Sequence, residues 1–132
     1  DDNTMLQLVQ RFGIMLDVFE KRSKTLWHAR VGAEYLRQEL KIDDPDILTP
    51  VRFHTTGKAE MTLPEKILFT ADFISEDRDY PGVSQMRELA EKSLEEAMLE
   101  GLAFTLQELS AKRRILHPDT LSAYNDLILK KE

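Results

Sequence analysis

Hydrophobic residues recur along the chain three and four positions apart, the period of helices that bury one face. No segment alternates apolar and polar residues in the manner of a strand. Leu6, Val9 and Phe12 mark a short first helix over Met5 to Phe12, stopped by Gly13. A loop through Phe19 and Ser23 leads to a second helix over about 26–41, with Trp27, Val31 and Tyr35 on one stripe and Leu36 and Leu40 beside it. Asp44-Pro45 is a start signal, an N-cap followed by proline in the first turn. It opens a helix toward His54, which Pro50 is expected to kink or delay. His54-Thr55-Thr56-Gly57 reads as a helix end running into a loop.

Thr62-Leu63-Pro64-Glu65 has the form of a capping box. The helix it starts is expected to turn Leu63, Ile67, Leu68, Ala71 and Ile74 toward the core. Pro81-Gly82 marks a turn, Ser84 caps a short helix, and Ser93 with Glu96 makes a second capping box. Leu94, Met98, Leu102, Leu106 and Leu109 then form the strongest amphipathic stripe, and Pro118 opens a last helix carrying Leu121, Tyr124 and Ile128. The pattern predicts an all-α fold, an irregular bundle of about six or seven helices, with no repeat or long linker.

The 132 residues fit one domain, and 42% hydrophobic residues suffice for a core without staples. With no cysteine in the chain, disulfides, thiolate zinc sites and cysteine nucleophiles are excluded, which is compatible with a reducing compartment. A net charge of −6, from 24 acidic and 18 basic residues, lacks the basic footprint of a nucleic-acid binder. It leaves room for a small phosphorylated ligand held by a few local cations or a metal. The longest apolar run, Ile67 to Ile74, contains Asp72 and falls far short of the roughly 20 residues that cross a bilayer. No signal-peptide pattern opens the chain, so neither a membrane nor a secretory route is expected, and the expected compartment is the cytoplasm.

Three histidines are the first candidates for chemistry. His28, beside Trp27, reads as a partly buried aromatic; His54 reads as a helix C-terminal cation favoured by the dipole; His117, before Pro118-Asp119, reads as a helix-start residue. Asp72 lies among apolar neighbours, so it is turned to solvent, paired with a cation such as Arg78, or bound to a metal. Two imidazoles and a carboxylate on three helices can hold a transition metal. Their spacing, 26 residues and then 18, matches no short local metal motif.

Several segments taken together resemble the YqeK family of HD-domain proteins. They are His28-Ala29-Arg30-Val31-Gly32-Ala33, Arg52-Phe53-His54-Thr55-Thr56-Gly57, Glu65 to Ile74, Arg78-Asp79-Tyr80-Pro81-Gly82-Val83, and Leu116-His117-Pro118-Asp119-Thr120 with Asn125. They occur in the family's order and cover nearly the whole chain. The resemblance implies an irregular HD-domain helical bundle and a phosphohydrolase with two divalent metal ions, iron or alternatively manganese. It also implies symmetrical cleavage of diadenosine tetraphosphate to two ADP molecules. The HD ligand order is a histidine, an adjacent His-Asp pair, two further histidines and an aspartate. His28 and His54 match the two further histidines and Asp72 the last aspartate, whereas the first histidine and the doublet have no counterpart and would fall ahead of residue 1. The expectation is therefore an HD domain over 1–132 without its N-terminal helices, inactive as it stands for lack of metal ligands.

In such a site the metals would clamp the phosphate chain and activate a water, so no protein nucleophile is required. Arg78 is the first choice for a phosphate contact and Lys58 the second, with the solvated surface cation as the alternative for each. Thr55 and Thr56 are expected either to bind phosphate or to cap the preceding helix, and His117 and Asn125 receive no chemical role. The expected partner is a nucleotide substrate, with a homodimer as the candidate assembly. Two other functions compete: an HD phosphohydrolase acting on a different nucleotide, and a non-catalytic helical module whose Leu94-to-Leu109 stripe binds a partner helix.

Overall fold

The computed structural model describes residues 1–132. Eight α-helices and one 3-10 turn form the fold, and no strand occurs. They are α1 (Asp2–Arg11), α2 (Val18–Lys21), the 3-10 turn (Lys24–Leu26), α3 (Trp27–Gln38), α4 (Pro45–Phe53), α5 (Leu63–Ile74), α6 (Val83–Lys92), α7 (Leu94–Ala111) and α8 (Pro118–Lys131). Successive helices pack as neighbours from α3 to α7, α5 also lies on α7, α8 closes over α7, and α1 lies on α3.

Most starts are written in the caps. Asp44 accepts from the Asp46 amide at 2.9 Å, with Pro45 in the first turn, and Thr62 and Glu65 cap α5 reciprocally. Ser93 accepts from the Glu96 amide at 3.2 Å, which is the forward half of the expected box. The expected loop through Phe19 contains a helix, because Asp17 and Glu20 form a capping box of their own, at 2.7 and 3.0 Å. That short helix adds to the six or seven expected. Gly82 rather than Ser84 caps α6, using a left-handed backbone (φ 99°) that suits glycine. Pro50 does not break α4, which runs through it with the proline ring buried.

The main core gathers Phe69, Met98, Leu102, Ala123 and Leu127, with Met61, Phe73, Leu94, Leu99 and Tyr124 packed around it. A smaller cluster of Val9, Phe12 and Val31 joins α1 to α3. The α7 stripe is thus core at Met98 and Leu102, both essentially inaccessible. The face of α5 differs from the expectation. Leu63 and Ile67 are 62% and 53% exposed, and Glu65, Phe69 and Thr70 are buried instead. With apolar residues on nearly every side of α5, periodicity does not choose a face; the fit of Phe69 and Phe73 against α7 does. A Cβ at Gly101 of α7 would lie 3.1 Å from the Phe73 ring, which shows how closely the two helices approach. No helix is long and apolar enough to cross a membrane.

Candidate metal and phosphate site

His28 stands in the first turn of α3. The Trp27 indole N–H donates to the Glu20 carbonyl at 2.7 Å, which fixes that turn and leaves His28 facing outward. His54 is the C-cap of α4, and Gly57 closes the chain behind it by donating to the Phe53 carbonyl at 2.8 Å. Gly57 has φ 72°, and an added Cβ would sit 3.2 Å from the Ala123 methyl, so both backbone and space call for glycine. Because α3 and α4 pack side by side, the two imidazoles meet. Their Nε2 atoms are 3.1 Å apart and their rings 5.0 Å apart at 71°.

The tautomer of His54 follows from its other nitrogen. Nδ1 lies 2.6 Å from the Val51 carbonyl, an acceptor only, so Nδ1 carries the proton and Nε2 presents its lone pair toward His28. A histidine held this way by a backbone carbonyl has the posture of a metal ligand. Thr55 adds a hydroxyl 3.3 Å from His28 Nε2. The Thr56 hydroxyl, by contrast, is buried and donates to the Gly57 carbonyl at 2.8 Å.

Asp72 lies on the exposed side of α5, and Arg78 folds back to it across the helix end at 2.9 Å, with both side chains about half exposed. They border a cavity of about 510 Å³ walled by the end of α5, the following loop, α6 and α7; neither histidine lines it. Lys58 is engaged by its own neighbours. Its ammonium is 3.5 Å from the buried Glu65 carboxylate and 5.8 Å from the Phe53 ring centroid. The structure therefore brings His28, His54 and Thr55 into contact, pairs Asp72 with Arg78, and engages Lys58 and Thr56 in local contacts.

One cluster escaped the sequence reading. Asp17, Glu20 and His117 present ligand-type atoms within 4.8 Å of one another. Their hydrogen bonds describe a structural clasp. His117 Nδ1 accepts from the Asp119 amide at 3.0 Å, so Nε2 bears the proton and donates to Asp17 at 3.1 Å. Glu20 is taken by Arg30 at 2.8 Å. Burial raises the Asp17 pKa, but the Glu20 amide and His117 lower it more, holding the carboxyl below its ordinary value. The Asp-x-x-Glu spacing at 17–20 was the available signal. His117 thus has a role, as cap of α8 and anchor for Asp17, whereas Asn125 is simply exposed on α8.

No protein-family model matches the sequence. The chain is 39% identical over 132 residues to the symmetrical bis(5′-nucleosyl)-tetraphosphatase of Halalkalibacterium halodurans, an alignment covering all of the chain and 70% of the relative. The chain belongs to the symmetrical bis(5′-nucleosyl)-tetraphosphatase family. Its Bacillus subtilis namesake is 42% identical over 103 residues, 78% of the chain and 55% of the relative. The Staphylococcus aureus tetraphosphatase is 32% identical over 127 residues, 95% of the chain and 65% of the relative. The chain thus spans between 55% and 70% of the length of these tetraphosphatases. A crystal structure of a predicted HD-superfamily hydrolase involved in NAD metabolism, from Clostridium acetobutylicum, superposes with a TM-score of 0.91. It is 32% identical and covers 98% of this chain and 69% of that one. The tetraphosphatase fold seen here is accordingly the HD-domain helical fold that the segments around His28, His54 and Asp72 resemble.

Proposed function

We propose that His28 and His54 belong to the metal site of a phosphohydrolase that cleaves diadenosine tetraphosphate symmetrically into two ADP molecules. The observation that supports this is the convergence of two Nε2 atoms at 3.1 Å with the His54 ring pinned from behind. Metal–imidazole bonds of about 2.0–2.1 Å place two neighbouring ligand nitrogens about 2.9–3.4 Å apart, so the observed pair fits one ion. Divalent iron or manganese bound there would supply Lewis acidity and an activated water. Asp72, held by Arg78 at 2.9 Å, would exchange that ion pair for a metal to join His28 and His54 in holding the ions. Arg78 keeps donors free beyond its bond to Asp72, and its planar fork suits phosphate oxygens. The Thr55 hydroxyl stands beside the imidazoles, where it can donate to a phosphate oxygen or a water.

The test compares the 132-residue chain with a form extended at its N-terminus to the length of the tetraphosphatases it resembles. Each is incubated with iron or manganese and diadenosine tetraphosphate, and ADP release is followed. Two imidazoles and one carboxylate are too few for two ions, since a catalytic ion takes about three protein ligands and an open position. The extended form should release ADP and the shorter chain should not. In the extended form His54→Ala should lower metal affinity at least 10–100-fold, more than loss of a supporting contact does. Equal activity of the two forms overturns the two-metal site, as does unchanged metal content in both His28→Ala and His54→Ala. The NAD metabolism ascribed to the Clostridium hydrolase makes another nucleotide the second reading. A panel adding NAD and nucleoside mono- and triphosphates decides between them.

A further inference from the structure

We propose that the cavity beside Asp72 and Arg78 is a nucleobase slot that takes a purine with an exocyclic amine, one adenine of the substrate; this rests on the nucleotide-hydrolase reading above. At about 510 Å³ it is in the range of small-molecule sites and has room for a nucleoside. Its wall is aromatic. Tyr80 and Phe104 lie near parallel, with centroids 6.5 Å apart at 25°, and Phe104 leaves 52% of its surface uncovered in the middle of α7. A large exposed aromatic lining a cavity is what a planar base stacks on.

That wall is fixed before any ligand arrives. The Tyr80 hydroxyl donates to the Phe73 carbonyl at 2.7 Å. Arg87 donates to the carbonyls of Ile74, Ser75 and Arg78 at 2.9–3.0 Å, holding the loop that carries Tyr80. Such preorganisation reduces the ordering cost of binding.

Charge decides which end of a nucleotide goes where. The lining carries one cation, Arg78, against the carboxylates of Asp72, Glu100 and Glu108. Phosphates are repelled by the two glutamates of α7 and are drawn to Arg78 at the Asp72 side. A neutral base with an amine is favoured inside, because carboxylates accept from N–H groups. Gln85 and Glu100 make no side-chain hydrogen bond within the protein and line the same space, so an amide and a carboxylate are free to read the base edge.

Adenosine, with neither phosphate nor metal present, is the probe, titrated against the chain by ligand-observed NMR. It should bind, and Phe104→Ala should weaken it about fivefold or more, the loss expected for one base stack. Phe104→Trp should restore binding, and uridine should bind more weakly than adenosine. Circular dichroism of both variants verifies the fold, which an exposed side chain does not hold together. No binding of adenosine at millimolar concentration, or equal affinity for the parent and Phe104→Ala, overturns the slot. If the extended enzyme cleaves diadenosine tetraphosphate with a KM that Phe104→Ala does not change, the slot is wrong and the proposed function stands. If adenosine binds through Phe104 but no dinucleoside polyphosphate is cleaved, the function is wrong and the slot stands.

Discussion

Glu65 has 2% of its surface exposed, yet it is a carboxylate. Burial raises its pKa, but the Thr62 amide at 2.7 Å, the Thr62 hydroxyl and the Lys58 ammonium lower it more, leaving it below the ordinary value of 4.5. A carboxyl depressed in the folded state contributes stability above pH 4.5 that disappears as pH falls through the folded value. Glu65→Gln should therefore be less stable than the parent at pH 7, with the gap closing as pH falls below 4.5. Urea unfolding across a pH series from 7 downward checks this, and a constant gap would show that the charge is not responsible. At this scale the sequence was partly legible. The Thr62–Glu65 box is visible in its spacing, whereas the meeting of His28 and His54 is not, because 26 intervening residues fix no distance until α3 and α4 pack. Resemblance to a family supplied that pair, and spacing alone left both histidines with ordinary structural readings.

Helix α5 marks where element-level reading stops. Its start and length were predictable from cap and proline, and its buried side was not, since Leu63, Ile67, Phe69 and Phe73 are all apolar and only their partners on α7 distinguish them. Two substitutions separate the faces. Phe69→Ala empties the middle of the main core and should cost about 3–5 kcal/mol. Ile67→Ser, at a position 53% exposed, should change this chain's stability by no more than about 0.5 kcal/mol. Denaturant midpoints of the two variants measure the difference, and equal losses would restore the face that periodicity suggested. Helix α2 is the opposite case: its Asp17–Glu20 capping box is written in the sequence, but four residues are too few to show a helical period, and the segment reads as loop.

Across the whole molecule, the all-α class and the order of the main helices follow from apolar spacing and caps, and the HD-domain arrangement from the family segments. The division of the candidate residues into a histidine pair and an Asp72–Arg78 pair belongs to tertiary packing and has no local signature. Much of the packing is between neighbours in the chain, and of the hydrogen bonds the clasp between His117 and Asp17 spans the longest stretch, tying together residues 100 positions apart. Closing so long a loop carries an entropic cost that contacts between adjacent helices avoid. The clasp should thus be absent from the folding transition state and break early when the protein opens. Asparagine at 117 can still cap α8 but cannot reach Asp17. If the lost bond is worth about 1 kcal/mol, His117→Asn should speed unfolding roughly fivefold and leave the refolding rate unchanged. Stopped-flow chevrons would reveal it, and a slowed refolding limb would mean that the two distant segments meet at the outset, making this histidine part of the nucleus rather than a final fastening.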